Sequence, residues 1–165
     1  MSKNIFKYDK KKIIILFNEK KFSKISKLSK LLINHYENDF DIWKIIIACE
    51  VNLKKYQNAE LYIKKLLLKN KSAEINYLYG NVLKAQDKNI EAIDAYKSAI
   101  SLDKNFSEAY NNLANTQKKT NQIKNAIFNY NKAIETKKNN LEAHFNLANL
   151  LKSEKNYQEA IKNYK

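Results

Sequence analysis

The side chains of this chain that could do chemistry are few and scattered. It has one cysteine, Cys49, and two histidines, His35 and His144. A covalent catalyst needs a base within hydrogen-bond reach of its nucleophile, and a metal site needs several His, Cys or carboxylate ligands at compact spacing. His35 falls in a connection after a helical segment and reads as solvated. His144 falls at a slot that Trp43 and Tyr110 fill elsewhere in the sequence, and reads as core. Cys49 lies in the apolar stretch Ile45-Ile46-Ile47-Ala48 and reads as an inert core thiol. A lone cysteine closes no internal disulfide, so nothing points to an oxidising compartment. The expectation is no catalytic residue, no metal and no cofactor in this segment, so that it is not itself an enzyme.

The elements that carry these residues follow from composition. The chain has 165 residues, 44% hydrophobic and 29% charged, enough for a folded core. It contains one Gly and no Pro. β-Sandwiches, tight β-hairpins and Gly-rich phosphate loops need those residues at their turns, which leaves an all-helical chain with short polar connections. The formal net charge is +14, and all 31 basic residues are Lys. Lys, Asn and Ile together make 74 of the 165 residues, and their A/T-rich codons account for much of the excess. The charge is uneven, with 17 Lys against 7 acids in residues 1–72 and 14 against 10 in residues 73–165. Basic surface attracts anionic partners, but without Arg the planar, bidentate reading of phosphate and guanine is missing, so nucleic acid is disfavoured as a partner. The start from Met1 to Lys12 is basic, but its apolar run, Ile13–Phe17, is far too short for a secretory or membrane-spanning segment, which makes the cytoplasm the expected compartment.

An internal repeat organises the chain. Ala73-Glu74-Ile75-Asn76-Tyr77-Leu78-Tyr79-Gly80-Asn81 aligns with Ser107-Glu108-Ala109-Tyr110-Asn111-Asn112-Leu113-Ala114-Asn115 and with Leu141-Glu142-Ala143-His144-Phe145-Asn146-Leu147-Ala148-Asn149, each 34 residues on. Twelve residues after Gly80, Ala114 and Ala148 come Ala92, Ala126 and Ala160, followed at four by Tyr96, Tyr130 and Tyr164. Small residues at these two positions let paired helices approach closely. Glu74, Glu108 and Glu142 fall in first turns, where the helix dipole favours an acid, and Ser72 and Asn140 are placed as N-caps. The pattern predicts helices over 9–19, 22–35, 40–53, 56–69, 73–86, 90–102, 107–119, 123–136, 141–153 and 157–165.

These residues resemble the tetratricopeptide repeat, whose signature runs Trp-x2-Leu-Gly-x2-Tyr, then Ala, an aromatic, Ala and Pro. Residues 73–106 and 107–140 match as full repeats, 40–72 matches with Trp43 at the signature tryptophan, and 141–165 matches until the chain stops. Residues 1–39 read as a degenerate N-terminal repeat or cap, and Lys104 and Lys138 replace the signature Pro. The resemblance implies an all-α fold, an α-solenoid of antiparallel helix pairs in a right-handed superhelix, stabilised repeat against repeat. Lys165 falls mid-helix, so the natural chain is expected to continue, and Ala160, Ile161 and Tyr164 are expected to be poorly covered.

The family's concave face is lined by the first helix of each repeat. Carried onto this sequence, that face holds Asn112 and Asn146 at the sixth position and Asn81, Asn115 and Asn149 at the ninth. Lys84, Lys118 and Lys152 form one edge, Glu74, Glu108 and Glu142 the other, with Tyr77 and Phe145 adding apolar area. A stacked row of amides can bind the backbone of an extended peptide, as in the groove of O-linked N-acetylglucosamine transferases, which these repeats resemble. Asparagine is also common at these positions across the family and throughout this Asn-rich chain, so the row stands equally as ordinary repeat chemistry. Chaperone-tail clamps of the family need cations where this chain has Tyr77, Glu142 and Asn146, which argues against that partner.

The resemblance thus implies a protein–protein interaction scaffold that takes an extended peptide or partner helix in its groove. Two alternatives stand beside it. One is the substrate-recognition arm of a larger bacterial glycosyltransferase or sulfotransferase. The other, weaker, is binding of RNA or an anionic surface through the Lys-rich face. The oligomeric state is open.

Overall fold

The computed structural model describes residues 9–164. Residues 1–8 of the basic start from Met1 to Lys12, and Lys165, on which the expectation of a longer chain rests, lie outside the described residues. Among these residues are ten α-helices and no strand: α1 (Lys10–Asn18), α2 (Phe22–His35), α3 (Phe40–Asn52), α4 (Tyr56–Lys69), α5 (Ala73–Ala85), α6 (Asn89–Leu102), α7 (Ser107–Lys119), α8 (Ile123–Thr136), α9 (Leu141–Ser153) and α10 (Tyr157–Tyr164). This is the all-α solenoid class that the repeat implied, with helix ends within one residue of expectation. The chain forms two compact units, one ending at Leu66 and the other starting at Leu67.

The helices start and stop for local reasons. Asp9, Asp39, Ser72 and Asn140 cap α1, α3, α5 and α9 by accepting a hydrogen bond from a first-turn N–H. The stops recur along the sequence. Lys20, Lys54, Asp87, Asn121 and Lys155 all have φ near +60°. Each follows the first helix of a pair, and the N–H of the next residue bonds back to a carbonyl five residues earlier: Lys21 to Leu16, Lys55 to Glu50, Lys88 to Leu83, Gln122 to Gln117 and Asn156 to Leu151, at 2.8–3.0 Å. This is the Schellman termination, which ordinarily places Gly in the left-handed residue. A chain with one glycine makes these turns with Lys, Asp and Asn instead, at a steric cost of about 1–2 kcal/mol for the larger side chains. Lys54→Gly should therefore raise stability by about 0.5–1 kcal/mol after the entropy of the freer unfolded chain is subtracted. Urea unfolding checks it, and an unchanged or lowered midpoint contradicts it.

In the first unit, Ile13 of α1, Ile25 of α2, Ile42, Trp43, Ile46 and Ile47 of α3 and Ile63 of α4 are each buried. In the second unit, α5/α6, α7/α8 and α9/α10 form hairpins, and each hairpin packs on the next through α6 against α7 and α8 against α9. The small residues act as the repeat suggested. Ala92, Ala114, Ala126, Ala133 and Ala148 are fully buried where helices meet. At Gly80, a Cβ would lie 2.4 Å from Cε1 of Tyr96, so this position holds glycine because the Tyr96 ring occupies the space.

The end of α10 corrects one expectation. Ile161 and Tyr164 are 56% and 47% exposed, but Ala160 is only 3% exposed. Its single methyl group lies within the cluster of Ala114, Ala126, Tyr130, Leu147, Leu150 and Leu151, so α9 and the preceding hairpin suffice to cover it. Cys49 is a buried thiol, as expected. Burial first and the neighbouring Glu50 carboxylate second push it up to about 12, so it should resist iodoacetamide at neutral pH unless the protein unfolds.

Candidate protein-binding face

The helices α5, α7 and α9 carry the residues singled out by spacing, and the second helix of each hairpin decides what those residues do. Tyr96, Tyr130 and Tyr164 each reach across to the first helix of their own hairpin. Their hydroxyls donate to Oδ1 of Asn81 at 2.8 Å, of Asn115 at 2.6 Å and of Asn149 at 2.7 Å. Tyr96 and Tyr130 are fully buried, so each O–H needs an acceptor close by. The oxygens of Asn81 and Asn115 are therefore committed inward, whereas at Asn149, whose partner Tyr164 is 47% exposed, the bond to the hydroxyl alone orients the amide. The polarity is firmest at Asn81, whose Oδ1 also accepts from Nδ2 of Asn112 at 2.9 Å. Turning that amide over would set donor against donor.

The sixth-position asparagines behave differently from the free amide row expected of them. Asn112 donates to the Tyr77 hydroxyl at 3.1 Å as well as to Asn81. Asn146 donates to Oδ1 of Asn111 at 3.1 Å, and Asn111 is only 3% exposed. Both are struts joining one repeat to the preceding one. The reason is distance: adjacent first helices lie close enough for a short amide to reach its neighbour before it reaches solvent. Asn111 was not anticipated as a functional residue, nor was the buried pair in which Nδ2 of Asn129 donates to Gln117 at 2.8 Å.

The flanking rows diverge along the repeats. Lys84 is half-buried, and burial holds its ammonium below the ordinary lysine value, partly countered by Glu142. Lys118 and Lys152 are exposed. Glu108 forms an ion pair with Lys137 at 3.1 Å; its own backbone N–H, and then Lys137, hold its carboxyl below the ordinary value against the effect of partial burial. Glu142 extends its field over Tyr77, Lys84 and Tyr130, and Glu74 lies in the first turn of α5. Tyr77 packs its ring 4.9 Å from that of Phe106 and 6.0 Å from that of Tyr96, and burial raises its hydroxyl above the ordinary value. Phe145 stays 58% exposed, with its ring 6.2 Å from Tyr164. The structure thus brings Tyr77, Asn81 and Asn112 into one bonded cluster, while Lys118, Lys152 and Phe145 stand free of it.

The histidines have no shared site. His144, expected in the core, is half-buried, with its ring nitrogens facing Oδ1 of Asn163 at 3.2 Å and the Lys138 carbonyl at 3.1 Å. An imidazole needs such partners when it is withdrawn from water, and the two polar groups draw it to the edge of α9. His35 is exposed and packs edge-on against Tyr36. Among the described residues, no group of three or more His, Cys, Asp or Glu could hold a metal ion, and no helix is long and apolar enough to cross a membrane.

The buried hydroxyls set an alkaline limit. Burial first and Glu142 second push Tyr130 from 10.0 up to about 12, Tyr96 moves in the same direction by burial, and Cys49 moves from 9.0 to about 12. A group held protonated more strongly in the folded state contributes stability below its unfolded pKa and loses it as pH rises through the folded one. Stability from these groups should hold to about pH 9 and fall from there to pH 12. Urea midpoints measured across that window test this, and Tyr130→Phe, which cannot ionise, should flatten the decline.

Stacked helix hairpins on a 34-residue period, closed by small residues and a tyrosine, define a helical-repeat protein. The tetratricopeptide repeat matches residues 80–121, 107–140 and 129–162, and the chain belongs to that family. The fold is similar to that of MamA in a crystal structure, with a TM-score of 0.77 and 21% identity over 95% of this chain and 91% of that one. It is similar also to MamA 41-end from Desulfovibrio magneticus RS-1, at TM-score 0.76 and 18% identity over 92% and 86%. The C-terminal part of a TPR repeat-containing protein from Cytophaga hutchinsonii aligns at TM-score 0.73 and 18% identity over 92% of this chain and 60% of that one. At such identities the likeness concerns the fold. No curated protein matches the chain in sequence.

Proposed function

We propose that the chain is a protein-interaction scaffold and that the face of α5, α7 and α9 takes an extended segment of a partner. Repeats of this family generally bind proteins, which supports the class of partner. The observation that carries the reading is the set of Tyr–Asn pairs at Tyr96, Tyr130 and Tyr164. With Oδ1 committed inward at Asn115 by the buried Tyr130 and turned towards Tyr164 at Asn149, these half-buried amides offer N–H groups outward, and the natural complement is a carbonyl oxygen of an extended backbone. The exposed ring of Phe145 adds apolar area beside Asn149, and Lys84, Lys118 and Lys152 against Glu74, Glu108 and Glu142 would orient the chain.

Alanine at all the asparagines is a poor test, because Asn112 and Asn146 hold the repeats together. Asn115→Asp with Asn149→Asp is better. The carboxylate keeps an acceptor for each tyrosine and removes the outward donors. Peptides selected from a random display library on the unaltered chain should bind this double variant about tenfold more weakly or worse, a loss of about 1.4 kcal/mol or more. Its urea midpoint should stay close to that of the unaltered chain. Unchanged peptide affinity refutes the assignment of the face.

A further inference from the structure

A second recessed surface lies on different helices, wholly within the first unit. A groove of about 710 Å³ runs between α2 and the start and middle of α4. Its floor is hydroxylic and built. Ser29 and Tyr62, 4% and 5% exposed, share a hydrogen bond of 2.8 Å, and Ser26, 8% exposed, accepts from Nζ of Lys55 at 3.0 Å. Its walls carry Lys27 and Lys30, one turn apart on α2, and Lys55 and Lys65 from the α4 side. None of the residues lining the groove is acidic. The nearby acids are otherwise engaged: Glu60 pairs with Lys64 at 2.8 Å, and Glu50 is fully buried behind Asn58, whose amide donates to it at 3.2 Å. Leu61, 52% exposed, stands beside Ile33 as the apolar part of the wall.

We propose that this groove binds an acidic segment of a partner protein, with its carboxylates on Lys27, Lys30, Lys55 and Lys65 and an apolar side chain against Leu61. The charge is complementary to carboxylates, and the exposed leucine matches a peptide that alternates acidic and apolar residues. Nucleic acid fits less well. The chain has no Arg, and the aromatic ring in the groove, Tyr62, is buried and offers no face on which a base could stack. A bilayer surface cannot enter a recess whose floor is Ser26 and Ser29. This binding does not depend on the face of α5, α7 and α9.

The test uses the full chain, labelled with 15N, titrated with a blocked amphipathic peptide of Glu and Leu. The same peptide with Gln for Glu, and oligouridylate, serve as comparisons. The Glu peptide should saturate and shift the amides of Ser26, Ser29 and Leu61. Lys27→Glu with Lys30→Glu and Lys65→Glu should weaken it by about tenfold or more, whereas Lys97→Glu with Lys104→Glu and Lys124→Glu, the same change in net charge, should cost about twofold or less. If the first triple variant fails to fold, the same three lysines changed to Gln make the comparison. Equal losses in the two triple variants, no shifts at the groove amides, equal binding of the Gln peptide, or tighter binding of oligouridylate each overturns the proposal. Binding through the other face would be untouched by the groove variants and sensitive to Asn115→Asp with Asn149→Asp, so the two readings fail separately.

Discussion

Trp43→Ala should destabilise the first unit by about 3–5 kcal/mol, a large share of what holds an array of this size together. The indole is 2% exposed, and Ile42, Ile46 and Ile47 of the same helix are fully buried, so the cavity left behind has rigid neighbours and little means of collapse. The ring does a second job. Its Nε1–H is shared between the carbonyls of Tyr36 and Glu37, each at 3.2 Å, and so ties down the turn between α2 and α3. Trp43→Phe, which keeps most of the packing and loses that bond, should cost much less, about 1–2 kcal/mol. Amide exchange in α2 and α3, with far-UV circular dichroism against urea, separates the cases. If Trp43→Ala unfolds at the same midpoint as the unaltered chain, the indole is not the keystone of this unit.

Tyr130→Ala should be comparably severe, about 3–5 kcal/mol, and for a different reason. Its ring is fully buried among Ala114, Ala126, Leu147, Leu150 and Leu151, so it bridges two consecutive repeats. Ala114 and Ala126 leave space beside it, and this one large side chain fills that space. Tyr130→Phe keeps the ring and removes the 2.6 Å bond to Asn115, at about 0.5–1.5 kcal/mol. That variant also frees the Asn115 amide to turn over. If the proposed role of the amide row is right, Tyr130→Phe should weaken selected peptides by several-fold while the array stays folded, and it becomes the most informative single substitution. A phenylalanine variant with full peptide affinity would leave the tyrosine a packing residue alone.

The difference between those two residues marks how far the sequence could be read. Periodicity alone determined the fold: an offset of 34 residues, small residues at Gly80, Ala114 and Ala148 and at Ala92, Ala126 and Ala160, and tyrosines four residues later admit little but stacked helix hairpins. Ser72 and Asn140 were legible as caps because capping is local chemistry, decided within one turn of helix. The left-handed turns at Lys20, Lys54, Asp87, Asn121 and Lys155 were hidden, because the usual glycine signal is missing and the geometry is imposed by the packing of each hairpin.

The polarity of the amides was decided only in three dimensions. Sequence spacing put Asn81, Asn115 and Asn149 in a row, and their recurrence fifteen residues before Tyr96, Tyr130 and Tyr164 was visible without a structure. Which atom of each amide faces inward depends on where a tyrosine hydroxyl from another helix lands. The bonds of the sixth-position asparagines were hidden for the same reason: Asn112 and Asn146 reach a neighbouring repeat across a gap that no spacing within one repeat describes. The lysines of α2 and α4 are the extreme case. In sequence they are part of a diffuse excess of charge. They line one recess together with Ser29 and Tyr62, which lie thirty-three residues apart and bond to each other. Backbone preference and apolar period are properties of a short stretch of chain and can be read from it. The partner of a polar side chain is chosen by tertiary packing, and with it the chemistry that each surface presents.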